Sequence, residues 1–228
     1  MQKKTDINLL KKSARLLFGV KLGRDEKDLF AYYLQQLIDW NERLNLFPPG
    51  SRNHLATNMF LDSLSIMKYL PFTEGMKIID IGSGNGCPGL PLKFAFRGME
   101  LLLVESNHKR TLFLNKIVQD LDEAGIGGIR VLNLRAEEIS TETRCDMIVT
   151  RGTYRLDKLL PVSRKLLHHK GYLVYYAGED GADQAKQAKS QIMAHHFQLV
   201  KVFDYLLPNM DYHRNLIILK FLGDDNQS

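Results

Sequence analysis

Short apolar runs alternate with stretches of helical spacing from Met76 onward. The runs predict strands near residues 76–81, 99–104, 129–133, 145–150 and 171–176. Because the intervening segments are long enough for crossover helices, this rhythm predicts a doubly wound, mostly parallel sheet. The expected fold class is therefore α/β.

The last two apolar runs behave differently. They extend from Gln198 to Leu207 and from Tyr212 to Phe221, and only Pro208-Asn209-Met210-Asp211 joins them. So short a link cannot hold a crossover helix, so these runs must form an antiparallel hairpin. The prediction is a seven-stranded sheet closed by one reversed strand.

The pattern before Met76 is helical. Residues 26–44 carry apolar side chains at helical spacing, a Pro-Pro-Gly-Ser segment interrupts them, and a further helix is predicted over 55–69. Residues 1–24 predict a basic amphipathic helix. Its expected buried face consists of Leu9, Leu10, Leu16, Leu17 and Phe18. We predict a helical cap over 1–70, a main domain over 71–222 and a disordered tail over 223–228.

A glycine-rich turn follows the first strand. Gly82, Gly84 and Gly86 occupy alternate positions, and Asp80 near the end of the strand places a carboxylate beside them. Glycine lets the backbone bend sharply and approach a ligand closely, while the N–H groups of the following helix point to the same place. The dinucleotide fingerprint is G-x-G-x-x-G, whereas here Cys87 stands where its third glycine would be. This spacing disfavours NAD and FAD.

The second strand ends in Glu105, about 20 residues beyond the glycines, where an acidic residue accepts hydrogen bonds from ribose hydroxyls in βαβ nucleoside sites. Alone, Glu105 is equally well interpreted as a solvated carboxylate at a strand end. The D-x-G-x-G-x-G pattern before it resembles the first motif of class I methyltransferases. Together the two features predict a site for the adenosine of S-adenosylmethionine.

Composition limits the location and partners of the protein. With 228 residues, 44% of them hydrophobic, the chain can bury one large core. Two cysteines without C-x-x-C spacing, no apolar leader and no run of membrane-spanning length predict a cytoplasmic protein that does not bind a membrane. The net charge of +5 permits a polyanionic partner but does not demonstrate one.

The basic excess is concentrated in residues 1–24, which carry seven Lys or Arg and one acid. These cations either form a solvated helix face or contact phosphates.

The end of the fourth strand excludes two chemistries. It reads Thr-Arg-Gly-Thr-Tyr from Thr150 to Tyr154, without the Asn/Asp-Pro-Pro-aromatic motif of amino methyltransferases or the Pro-Cys nucleophile of carbon-5 cytosine enzymes. Cys87 is interpreted as a contact lining the loop, and Cys145 as core packing. Adjacent histidines on a helix point about 100 degrees apart, so no metal site is predicted.

Five segments together resemble one family. The segments DIGSGNGCPGLPL, ESNHKRTLFLNK, LRAEEI, CDMIVTR and HRNLIILK are similar to those of the 16S ribosomal RNA guanine-N7 methyltransferases, once called glucose-inhibited division protein B. The resemblance extends from about Tyr33 to Lys220. It implies a class I methyltransferase fold, S-adenosylmethionine as cofactor, and 16S ribosomal RNA or the small-subunit particle as partner of a monomeric enzyme.

The resemblance also implies site residues. With the rest of the glycine turn, the predicted cofactor-binding residues are Asp80, Gly82, Ser83, Gly84, Gly86, Cys87, Glu105, Ala136, Glu137 and Arg151. Arg151 is also the candidate catalytic residue. The predicted RNA-binding residues are Lys109, Arg110 and Arg214, together with Lys11, Lys12 and Arg15 of the basic N-terminal segment, which lies outside the resemblance.

The chain departs from the family on the acceptor side. Family members usually carry Arg-His before the Leu-Asp-Ser element, Arg-Ala after strand four and Leu-Lys-Gly after strand five. This chain has Asn58-Met59, Arg151-Gly152 and Tyr176-Ala177-Gly178 at these positions.

Guanine N7 bears a free lone pair and no proton, so its methylation requires alignment and no general base. Arg151 could bond guanine O6, hold a flanking phosphate, or pair with an acidic neighbour. Three functions remain open at this stage. They are an RNA guanine-N7 methyltransferase, a methyltransferase for another acceptor, which Ala177 favours, and a non-catalytic nucleoside-binding module.

Overall fold

A computed structural model of the chain describes residues 2–48, 54–152, 154–208 and 210–223. The predicted tail over 223–228 lies outside these residues except for Gly223. The helices are α1 (Gln2–Phe18), α2 (Arg24–Leu44), α3 (Asp62–Leu64), α4 (Gly89–Ala95), α5 (His108–Glu123), α6 (Leu156–Leu166), α7 (Gly181–Gln187) and α8 (Lys189–Ala194). The strands are β1 (Lys77–Ile81), β2 (Glu100–Val104), β3 (Ile129–Leu132), β4 (Cys145–Arg151), β5 (Leu167–Ala177), β6 (Phe197–Tyr205) and β7 (Arg214–Phe221).

The described strands form one seven-stranded sheet in the order β3-β2-β1-β4-β5-β7-β6. Strands β1 to β5 pair in parallel, and β7 runs antiparallel to both β5 and β6. The predicted fold class and hairpin are therefore confirmed. Strand β5 begins at Leu167, earlier than predicted, because Leu167 pairs with Cys145 beyond an irregularity in the register.

The central strands contribute side chains to the cores on both faces of the sheet, because successive side chains of a strand point to opposite sides. Ile78 and Met147 belong to the core under α1, α2, α4 and α5. Their neighbours Ile79 and Ile148 belong to the core under α6 to α8. This arrangement explains why the strands read as continuous apolar runs.

Helix α1 buries Leu10 and Phe18 as predicted, but not Leu16. Leu16 is 71% exposed, whereas Ile7, Leu10, Ala14 and Phe18 are buried. These four residues follow the three- and four-residue spacing of one helix face. Leu16 lies two residues from both Ala14 and Phe18, which is about 200 degrees around the helix. The expectation that Leu16 is buried was wrong because it relied on local clustering of leucines.

The predicted helix over 55–69 has three pitches in succession. A π-helical segment (Ala56–Leu61) leads into α3 and then into a 3-10 segment (Ser65–Lys68). From residue 55 to 66 every side chain except that of Asn58 is buried. The segment therefore turns inward both apolar residues and the polar side chains of Asp62, Ser63 and Ser65, and π-helical turns of this kind are frequent at functional sites.

The N-terminal segments and the sheet share one hydrophobic core. The rings of Tyr33 and Phe60 stack with centroids 5.2 Å apart, and both Tyr33 and Phe30 lie edge-on to Phe94 of α4. The buried Tyr33 hydroxyl donates a hydrogen bond to the carbonyl oxygen of Asn85 in the glycine turn. The helical cap and the main domain, which the predicted boundary near residue 70 separates, are therefore packed against each other.

We expect Tyr33→Phe to lower the free energy of unfolding by about 1 to 3 kcal/mol, because the carbonyl of Asn85 would stay buried without its donor. Urea unfolding measures the change. Tyr212→Phe is the control because Tyr212 is exposed, and its effect should stay within about 0.5 kcal/mol. Equal effects of the two substitutions would show that the bond from Tyr33 does not contribute to stability.

Candidate active site

The predicted site residues converge at the carboxyl ends of the strands around β1. This strand lies between β2 and β4, so the connections that follow β1 and β2 diverge from those that follow β4. Such a switch point is where open α/β sheets bind ligands. The glycine turn after β1, Glu105 after β2 and Arg151 at the end of β4 all lie at this edge.

The glycine turn is tightly constrained. Gly82, Gly84 and Gly86 have φ angles of 70°, 58° and 91°, a region that favours glycine. A Cβ atom on Gly86 would lie 2.5 Å from Leu90 Cδ1 and 2.8 Å from the Tyr33 hydroxyl oxygen. The turn therefore requires glycine at Gly86 for its conformation and also for the space that the packed cap leaves.

Ser83 connects β1 to β2. Its hydroxyl donates to the carbonyl of Asp80 at 2.8 Å and accepts from the backbone N–H of Val104 at 3.0 Å. Its own N–H donates to the carbonyl of Val104 at 3.0 Å. The polar groups of Ser83 thus serve the turn itself, and its contact with a cofactor remains a prediction.

Asp80 is a buried carboxylate with one oxygen unused. Its Oδ2 accepts from the backbone N–H of Gly89 at 2.8 Å, whereas its Oδ1 has no hydrogen-bond partner among the described residues. Burial raises the pKa of Asp80 to about 7, although the Gly89 bond and the charge of Arg151 oppose the rise. A buried acceptor without a donor is costly. It fits a ligand that brings a cationic or donating group, such as the ammonium of S-adenosylmethionine.

Glu105 organises the adjacent cleft. One carboxylate oxygen accepts from the N–H of Gly84 at 2.8 Å and the other from the N–H of Asn107 at 2.7 Å. Since each carboxylate oxygen has two lone pairs, both retain capacity for ribose hydroxyls. The cleft has a volume of about 240 Å3, and its lining consists of Gly82, Val104, Glu105, Ser106, Leu134, Arg135, Ala136 and Tyr154.

The 3-10 turn after β3 and the segment after β4 both contribute to the wall of the cleft. Ala136 is buried in the cleft wall, while Glu137 beside it is exposed, and both lie on the 3-10 turn Ala136–Glu138 that follows β3. Tyr154 was not predicted as a site residue. Burial and the nearby charge of Glu137 raise its pKa, so it stays a neutral ring at the cleft wall. An aromatic residue just after strand four was the only sequence signal for it.

Cys87 lies under the turn. Its side chain is buried, and its sulfur lies 3.6 Å from the hydroxyl oxygen of Tyr33. Burial raises the pKa of the Cys87 thiol to about 11, so it is not a thiolate at neutral pH. Burial likewise raises the pKa of Cys145, which packs in the core beneath the sheet. Neither thiol is placed as a nucleophile.

From the sequence, Arg151 could pair with an acidic neighbour, and in the structure this neighbour is Asp62. Its fully buried Oδ2 lies 3.7 Å from Arg151 Nη1 and 2.9 Å from Arg214 Nη2. Its Oδ1 accepts a hydrogen bond from the Tyr205 hydroxyl at 2.6 Å. Arg151 Nη1 also donates to the carbonyl of Met59 at 3.5 Å. Residues from the cap, β4, β6 and β7 thus meet at one carboxylate.

The predicted RNA-binding cations have unequal exposure. The side chain of Arg214 is only 17% exposed and is bonded to Asp62, so a phosphate would meet a guanidinium already engaged in an ion pair. Lys109 is exposed at the start of α5, and Arg110 Nη1 lies 3.8 Å from the position of a Cβ built on Gly84. On α1, Lys11, Lys12 and Arg15 are exposed.

The residues that the structure describes contain no helix long and apolar enough to cross a membrane. The same residues contain no group of three or more His, Cys, Asp or Glu side chains arranged to hold a metal ion.

The sheet order, the glycine turn after β1 and the acidic residue after β2 define a class I S-adenosylmethionine-dependent methyltransferase. Solved structures support this fold. A methyltransferase from Pyrococcus furiosus superposes with a TM-score of 0.60 at 15% identity, covering 86% of this chain and 99% of that one. An S-adenosylmethionine-dependent methyltransferase from Aquifex aeolicus superposes with a TM-score of 0.57 at 13% identity, covering 78% and 97%.

The chain belongs to the family described as rRNA small subunit methyltransferase G (GidB), whose profile matches residues 26–212. Two relatives carry the name ribosomal RNA small subunit methyltransferase G. The protein of Nitrosococcus oceani is 32% identical over 93% of this chain and 94% of its own length. The protein of Carboxydothermus hydrogenoformans is 30% identical over 90% of this chain and 87% of its own length.

The raised pKa of Asp80 predicts a pH-dependent stability. An unfolded Asp ionises near 3.8 and Asp80 in the native state at about 7, so between these values the native protein binds more protons. Its free energy of unfolding therefore falls as pH rises through this window. Asp80→Asn removes this titration, so its stability relative to wild type should rise from pH 5 to pH 7, by an amount on the order of 2 kcal/mol.

Urea unfolding at the two pH values measures this difference. Asp28→Asn, at an exposed position of α2, is the control for the general effect of losing one carboxylate. A difference between Asp80→Asn and wild type that does not change with pH would contradict the shifted titration.

Proposed function

We propose that this protein methylates guanine N7 in 16S ribosomal RNA of the small subunit, with S-adenosylmethionine as methyl donor. One observation carries the proposal. In a chain of the rRNA small subunit methyltransferase G family, a cleft lined by Glu105 and a buried Asp80 oxygen without a hydrogen-bond partner among the described residues lie near the strand end that carries Arg151. A ribosomal substrate also implies that the protein acts in the cytoplasm.

S-adenosylmethionine would supply a methyl group on a positively charged sulfur. Glu105 would hold the ribose hydroxyls, since its side chain lines the cleft and is fixed there by the N–H groups of Gly84 and Asn107. Asp80 Oδ1 would accept from the ammonium of the methionine part, and this bond would lower the pKa of Asp80 again. Ala136 and Tyr154, which line the cleft, would flank the base, with Glu137 beside them.

The neutral groups of the site suit an acceptor that loses no proton. The high pKa of Cys87 and the buried state of Tyr33 leave neither as a base at neutral pH. Guanine N7 needs none, because its lone pair attacks directly. Arg151 would serve as the catalytic residue by bonding guanine O6, with the planar guanidinium setting the orientation of the ring.

RNA would approach over the basic surfaces. Lys11, Lys12 and Arg15 on α1 and Lys109 on α5 are exposed and would contact phosphates. Such contacts position the RNA without reading its sequence. A monomer would suffice, because the proposed site draws all its residues from one chain.

A methyltransferase for another acceptor is the second candidate. Met59 and Ala177 replace a histidine and a lysine of the family pattern. In the structure both are buried, and Met59 contacts Arg151 through its carbonyl. These neutral residues would suit a less charged acceptor than the family pattern does.

We expect small ribosomal subunits from cells that lack the gene to gain one 7-methylguanosine in 16S RNA after incubation with the protein and S-adenosylmethionine. Borohydride reduction followed by aniline cleaves RNA at 7-methylguanosine, and primer extension then locates the site. Methylation without such cleavage would favour the second candidate. Cofactor binding without any methylation would instead favour a non-catalytic nucleoside-binding module.

We expect Glu105→Ala to weaken S-adenosylmethionine binding by about 1 to 3 kcal/mol, which is roughly a 5- to 150-fold rise in Kd. The ribose hydroxyls would lose a charged acceptor. Calorimetry measures the affinity, and Glu123→Ala at the exposed end of α5 is the matched control. A Kd equal to that of wild type would show that Glu105 stabilises the glycine turn but does not bind the cofactor.

A further inference from the structure

We propose that Asp62 is a positioning residue that holds Arg151 in place and offsets its charge where methyl transfer makes the acceptor ring cationic. The inference rests on the proposed function and names a residue of the cap as part of the same site. It starts from a fully buried carboxylate at the junction of the cap with the sheet.

The geometry around Asp62 is specific. Arg214 makes the closer contact, with Nη2 at 2.9 Å and Nε at 3.5 Å from the two carboxylate oxygens. Arg151 lies 3.7 Å away on Oδ2, and both guanidinium groups are 17% exposed. The hydroxyl of Tyr205 bonds Oδ1, and burial together with Asp62 raises the pKa of that phenol, so it stays neutral.

The charges in this cluster do not cancel. One carboxylate faces two guanidinium groups, so the excess is one positive charge. The charge of Arg151 reaches the cofactor side, because it lowers the pKa values of Asp80 and Cys87 against the effect of burial. Removal of the Asp62 carboxylate would take this counter-charge away from both guanidinium groups in a poorly solvated place, where charge interactions are strong.

Methylation of guanine N7 moves charge toward these cations. The N7 lone pair forms a bond to the methyl carbon, and the electron pair of the broken carbon–sulfur bond stays on sulfur. The guanine ring gains the positive charge that sulfur loses, and no proton leaves. A guanidinium that aligns the ring through O6 therefore also repels the charge that develops on it. The carboxylate of Asp62 beside Arg151 reduces that repulsion while it keeps the guanidinium in place.

The test separates the rate of transfer from RNA binding. We expect Asp62→Asn to lower the single-turnover methylation rate about 10- to 100-fold on small subunits that lack the modification. Affinity for RNA should stay the same or increase, because a negative charge near the RNA has been removed. A purely structural role for Asp62 would instead weaken RNA and cofactor binding together with the rate.

A charge-restoring variant and a matched control complete the experiment. Asp62→Asn/Arg214→Gln returns the excess to one positive charge and should recover part of the lost rate. If Asp62→Asn alone does not fold, the rate of the double variant is compared with that of wild type. Asp146→Asn is the control, since Asp146 lies at the opposite end of β4 from Arg151 and bonds His168 and the N–H of Lys77. This control should keep the wild-type rate.

Two results would overturn the role of Asp62: a wild-type rate in Asp62→Asn, or a double variant slower than the single one. The proposed function is judged separately, by whether wild type methylates N7 on the same particles. If wild type methylates an atom at which no cation forms, the function at N7 fails. A loss of rate in Asp62→Asn on that acceptor would then support positioning of Arg151, and no loss would overturn it.

Discussion

The site depends first on the hydrogen bonds that join the cap to the glycine turn. The carbonyl of Asn85 accepts from the Tyr33 hydroxyl, its side-chain amide donates to the carbonyl of Leu46 at 3.0 Å, and its Oδ1 accepts from the N–H of Cys87 at 3.2 Å. All of these groups are buried or nearly so, and a buried polar group without a partner costs about 1 to 3 kcal/mol. The turn therefore takes its shape from the cap as much as from its own glycines.

Asp62 joins the cap to the sheet at a second place, beside Arg151. The cap contributes a carboxylate, and β4, β6 and β7 contribute Arg151, Tyr205 and Arg214. Breaking such a buried group by removing one partner is costly, although replacing the whole group need not be. The cap therefore contacts two parts of the candidate site, the glycine turn and Arg151.

Local pattern was enough to predict the sheet, because strands with both faces buried read as apolar runs and a four-residue link permits only a hairpin. The glycine turn and Glu105 could also be predicted, because the spacing of these residues along the chain is itself a local pattern. The partners of Arg151 could not follow, since Asp62 lies in a different part of the chain and periodicity carries no information about such contacts. The π-helical turn before Asp62 and the outward position of Leu16 were missed because both depend on which face the tertiary packing selects.

The distribution of charge across the proposed site limits how it can accelerate the reaction. In the proposed site Asp80 and Glu105 would lie on the side of the sulfonium, and Arg151 and Arg214 would lie on the side of the acceptor. Methyl transfer to N7 would move positive charge away from the carboxylates and toward the arginines, so these groups favour the reactants more than the transition state. Only interactions that strengthen in the transition state raise the rate. Most of the acceleration must then come from alignment of the ring, and carboxylates such as Asp62 are needed to limit the electrostatic cost of the residues that provide it.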